Sequence, residues 1–92
     1  MDKNKIALGS LAMDLKRVAM GYYRRSEAMA DRFLEEALKT KEEIDERSVE
    51  PHIRKILAGI KLLHRKNKSC ADKMDIAEDA LMYSTLLQNA AR

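Results

Sequence analysis

A single cysteine, a single proline, three glycines and no tryptophan remove most of the devices that could staple or punctuate a chain of 92 residues. Cys70 has no second thiol to pair with, so an internal disulfide is excluded, and the reading is an inert small residue in a reducing cytosol. With one Phe and three Tyr, the interior must be assembled from Leu, Ile, Ala and Met. The methionines Met13, Met20, Met29, Met74 and Met82 read as adaptable fillers of that interior. No apolar run reaches the ~18 residues of a membrane span. The opening Ile6-Ala7-Leu8-Gly9-Ser10-Leu11-Ala12-Met13 is followed at once by Asp14, Lys16 and Arg17, without a small-residue cleavage site. The expected location is therefore cytoplasmic.

What the chain does contain is helical periodicity. At ~100° per residue, Leu8, Leu11, Leu15, Val18, Ala19, Tyr22, Met29, Ala30, Phe33, Ala37 and Ile44 fall in one arc of about 140°. Strand alternation fails over the same stretch. Charged residues make up 36% of the chain, which suits a solvated helical surface. Two places break the pattern. Ser48 is a candidate N-cap, and Pro51 suits a first helical turn. Asn67 suits a helix end, and Ser69 with Asp72 forms an S-x-x-D start.

The expected fold is all-α, a single domain over 1–92. A long helix at about 4–46 packs with shorter helices at about 50–66 and 69–91, in an intertwined or side-by-side dimer. The alternative is a four-helix up-down bundle broken near Gly21–Ser26. Tyr22-Tyr23-Arg24-Arg25 is poor turn chemistry, which favours the continuous helix. In that case Gly21→Ala is expected to add roughly 0.5–1 kcal/mol of stability.

The last helix is too apolar to be covered by one short and one long neighbour. Ile76, Ala80, Tyr83 and Leu87 form one stripe, and Met74, Ala77 and Leu81 form another beside it. These seven residues are the expected oligomer interface.

Charge is uneven along the chain. Residues 51–68 carry six basic and no acidic side chains, while the whole chain has a net charge of +3. Arg54, Lys61, Arg65 and Lys68 fall on one ridge, where repeated positive charge is able to track phosphates. The same ridge also reads as a solvated face that places cations near a helix C-terminus.

His52 and His64 point in different directions, no Glu-x-x-His pair is present, and Gly9, Gly21 and Gly59 are isolated. No metal, cofactor or phosphate loop is expected, and no catalytic set can be named.

The succession of a helix of ~40 residues, then ~16, then ~22, is similar to the plan of the small all-helical chorismate mutases, which are interlocked dimers. Ser84 and Gln88, one turn apart, are similar to polar active-site residues of that family, and Lys39 lies on the long helix. The resemblance implies a small enzyme holding a dianionic substrate with Arg and Lys between helices. The chain departs from that pattern in Glu50-Pro51-His52-Ile53-Arg54-Lys55, which lacks the family's acidic-x-x-Arg-Glu run. Arg17, Arg24 and Arg25 also point away from the packing arc.

Three functional expectations follow. The first is a non-catalytic helical protein acting through self-association or a protein partner, of adaptor or regulatory type. The alternatives are a nucleic-acid-associated module using the basic ridge and a small enzyme of chorismate-mutase-like architecture.

Overall fold

The expected long helix is divided at Arg24–Ser26. A computed structural model describes residues 3–68 and 73–91, the side chains of 66–68 excepted. Its elements are α1 (Lys3–Tyr23), α2 (Glu27–Glu42), a 3-10 turn (Glu46–Ser48), α3 (Pro51–Lys68) and α4 (Lys73–Ala90). The four-helix alternative is the one realised, and the single helix over 4–46 is corrected. Cys70 and the Ser69–Asp72 start lie outside the described residues.

The break is a helix C-terminus of the Schellman type. The Ser26 amide donates to the Gly21 carbonyl at 2.7 Å, and the Arg25 amide donates to the Tyr22 carbonyl at 3.1 Å. Arg25 occupies the left-handed region, with φ of 59°. That position is usually glycine, because a Cβ there crowds the backbone at a cost of roughly 1–2 kcal/mol. Arginine bears this cost because turning back lets α2 lay its stripe on α1. Arg25→Gly is therefore expected to raise stability by about 1 kcal/mol. Equilibrium unfolding in urea checks it, with the midpoint moving up and the slope unchanged.

Contacts between helices set the direction of packing. The Thr40 hydroxyl donates to Asp14 at 3.3 Å and the Tyr22 hydroxyl to Asp31 at 3.1 Å, so α2 runs antiparallel to α1. The Ser84 hydroxyl donates to the Ala12 carbonyl at 2.6 Å and the Lys73 ammonium lies 5.8 Å from the centre of the Tyr22 ring, so α4 runs antiparallel to α1 on its other flank. His64 of α3 meets Glu35 of α2 at 3.3 Å. The helices thus go up and down in turn, in a bundle of 36 × 19 × 19 Å.

The core takes Leu8, Leu11, Leu15, Val18 and Tyr22 from α1, and Ala30, Leu34 and Ala37 from α2. It is completed by Ile53, Leu57, Ile60 and Leu63 from α3, and by Ile76, Ala80 and Leu87 from α4. Two expectations about its composition change. Leu34, outside the sequence arc, is fully buried, while Met29 and Phe33 are only half-buried, because the break rotates α2. The methionines do not fill the interior: Met13, Met74 and Met82 are exposed and Met20 is half-buried.

Before α3, Asp45 accepts from the Arg47 amide at 3.0 Å and from the Ser48 hydroxyl at 2.9 Å. Ser48 is therefore a donor within the 3-10 turn and does not cap α3. The Glu50 carbonyl receives the first amides of that helix, from Ile53 and Arg54, and Pro51 opens it as expected.

Candidate interaction face

The seam between α1 and α4 is built from small residues, and this decides what the outer surface looks like. Ala12, Ala77, Ala80 and Ser84 are all buried, and Gly9 lies against Ala91. Small side chains let the two backbones approach, and the Ser84 hydroxyl reaches a main-chain carbonyl directly. Ser84 is thereby satisfied; among the described residues no buried side-chain polar atom lacks a partner.

Large apolar side chains that do not enter the core stand outward on both helices. Ile6 (53% exposed) and Met13 (57%) stand two turns apart on α1, with half-buried Met20 two turns further on. Met74 (39%) and Leu81 (40%) stand two turns apart on α4. The seven-residue spacing places each set on one line along its helix. A shallow groove of 530 Å³ runs along the seam, lined by Ile6, Gly9, Met13, Lys16, Ser84 and Gln88 among others. Leu62 on α3 and Met82 and Leu86 on α4 are further exposed apolar side chains.

Of the seven residues expected at an oligomer interface, Ile76, Ala77, Ala80 and Leu87 are enclosed by the chain's own helices. Tyr83 is half-buried with its ring against Gly59 of α3, and Met74 and Leu81 face outward. α4 packs against α1 on one side and α3 on the other, and these two neighbours enclose the stripe. The α1 half of the face was missed in the sequence. Its signal was the repeat Ile6–Met13–Met20, opposite the core arc.

The basic ridge has a different setting. Arg54, Lys61 and Arg65 are exposed along α3; the Lys68 side chain lies outside the described residues. Glu35 of α2 reaches His64, the residue beside Arg65, so an acidic helix borders the ridge. Lys39 is exposed on α2 and meets Glu36 at 3.8 Å, away from Ser84 and Gln88, which share the α1–α4 groove. The three residues similar to chorismate mutase positions are therefore not brought together.

Two titratable groups on α1 are perturbed. Burial raises the Asp14 carboxyl above its ordinary value, and its hydrogen bond from Thr40 and the nearby Arg17 partly offset this. Burial also raises the Tyr22 phenol, reinforced by the charge of Asp31 and the hydrogen bond to it. Both groups tie α1 to α2. Among the described residues no three His, Cys, Asp or Glu side chains are grouped to hold a metal, and no helix is long and apolar enough to cross a membrane. No known family, curated protein or solved structure matches the chain.

Proposed function

We propose that this protein is non-catalytic and works by association through the α1–α4 face. The observation that carries the reading is the double line of exposed large apolar side chains, Ile6 and Met13 beside Met74 and Leu81, along a seam whose own interior is closed. Transferring such side chains from half-exposure to full burial yields about 1 kcal/mol each. Large apolar side chains left exposed together on one side of a protein mark interaction sites. The groove between the two lines also carries Lys16 and Gln88, polar groups of the kind that give an interface its hydrogen bonds.

A photo-crosslinking residue placed at Met13 tests this inside the producing cell, with the same residue at Lys39 as the control. Adducts are expected from position 13 and not from position 39, whatever the partner. They should be lost when Leu81→Lys is added. Equal labelling at both positions, or none at position 13, would overturn the reading.

A further inference from the structure

The inference rests on the association reading above and names the occupant of the face. We propose that it is a second copy of the chain, docked about a two-fold axis parallel to the bundle, with α1 of each copy lying antiparallel along α4 of the other.

Two copies stacked face to face in a closed dimer are related by a two-fold axis in the plane of contact. An axis across the bundle lays α1 on α1 and α4 on α4. An axis along it lays α1 on α4. Charge chooses between them. On this face α1 carries Lys5 and Lys16 in the groove and Arg17 at its edge, its acid Asp14 being turned to Thr40 of α2, while α4 carries Glu78 between Met74 and Leu81. Stacking like helices sets basic against basic and acidic against acidic, and crossing them sets opposite signs together.

The register then agrees residue by residue. Ser84 on Ala12, and the Lys73 ammonium 5.8 Å from the centre of the Tyr22 ring, fix which levels of α1 and α4 correspond in one copy. A two-fold axis along the bundle preserves those levels. Arg17 lies as far beyond Ala12 as Asp79 lies before Ser84, so along the axis it comes within about 1.5 Å of Glu78 of the partner copy. By the same reckoning Ser10 comes level with Thr85 and Leu86. Met13 and Met20 fall within about 3 Å along the axis of Leu81 and Met74 respectively, at 1.5 Å of rise per residue. Apolar side chains thus interleave with apolar ones, and a cation meets an anion. Arg17 and Glu78 are both exposed, the Arg17 guanidinium resting 5.3 Å from the centre of the Phe33 ring at the edge of the face.

The extent is sufficient. A face 36 Å long and 19 Å wide offers roughly 700 Å² before its relief is counted, close to the about 800 Å² per partner of a standard interface.

Sedimentation velocity on the purified full-length protein at low ionic strength provides the test, using Arg17→Glu, Glu78→Arg and an equimolar mixture of the two. The wild type is expected to dimerise at tens of micromolar. Each single variant should dissociate about tenfold more readily. In the mixture, the glutamate introduced at position 17 of one variant faces the arginine introduced at position 78 of the other, and the second pair is wild type. A heterodimer as tight as the wild-type dimer, within about threefold, is therefore expected. Thermal melting of each variant verifies that it is folded, and the mixing result stands independently of any shared loss of stability. A wild type that stays monomeric at 100-fold higher concentration, single variants as tight as wild type, or a mixture no tighter than its components would each overturn the proposal. A monomer whose position 13 still crosslinks in cells overturns the second-copy occupant alone. Loss of that crosslink overturns the association reading itself.

Discussion

Leu34→Ala is expected to cost about 2–5 kcal/mol, the range for emptying a closed leucine site. Leu34 has 0% exposure and projects from α2 into the centre of the bundle. At roughly 4–8 °C of melting temperature per kcal/mol for a domain of this size, the loss should bring the transition down by ten degrees or more. The control is Phe33→Ala. Phe33 is half-buried at the bundle edge with Arg17 over its ring, so its loss should cost distinctly less despite the larger side chain. The order of the two effects discriminates between folds. In one continuous helix over 4–46, Phe33 lies within the apolar arc and Leu34 just outside it, and the ranking would reverse. Thermal melts of the two variants followed by circular dichroism decide the matter.

Gly21→Ala is expected to destabilise the protein by up to about 2 kcal/mol, opposite to what a glycine inside a continuous helix implies. Gly21 does not have a positive φ, so turn geometry is not the reason. A Cβ added there would sit 2.9 Å from both the Cβ and the amide nitrogen of Ala30, and 3.0 Å from its Cα. Two of those three atoms are main chain, so no side-chain rotation relieves the contact and α2 must move off α1. Overpacking of this kind costs about 1–3 kcal/mol, against which the helix propensity of alanine returns about 1 kcal/mol. Adding Ala30→Gly should recover little, because the nitrogen and Cα remain in place. Equilibrium unfolding of the single and double variants measures both effects. A stabilised Gly21→Ala protein would remove the close crossing from the account of the fold.

The division of the first helix was only half legible, and Arg25 explains why. Helix ends advertise themselves when glycine or asparagine takes the left-handed position, and here arginine takes it. The nearest glycine, Gly21, stands four residues earlier and serves the crossing with Ala30. The apolar stripe also keeps nearly the same phase on both sides of the break, since Ala30, Ala37 and Ile44 are buried as a continuous helix would have them. Only Leu34, Phe33 and Met29 betray the rotation. The start of α3 was far more legible, because Pro51 has one natural place in a helix and occupies it.

The α1–α4 face was legible on one side. The excess of apolar residues on the last helix singled out Met74 and Leu81, and both are exposed. Met13 was assigned to the interior on composition, and Ile6 was not assigned at all. Composition cannot separate a methionine that fills a core from one that lines a surface. The seven-residue spacing of Ile6, Met13 and Met20 carries that information once the opposite arc is known to be occupied.

By itself, the sequence determined that the chain is helical throughout its periodic stretches and that a helix opens at Pro51. It also determined which face of α1 and of α3 packs inward, because these follow from local spacing and from residues with few permitted conformations. Only the tertiary structure decided that α1 and α2 separate at Arg24–Ser26. The same packing enclosed Ile76, Ala77, Ala80 and Leu87 within the chain's own bundle and left Ile6, Met13, Met74 and Leu81 outside. The physical reason is one of balance. A left-handed arginine is a local cost of about 1–2 kcal/mol. It is outweighed by burying the α2 stripe against α1, and that gain exists only between segments distant enough in the chain to fold back on each other.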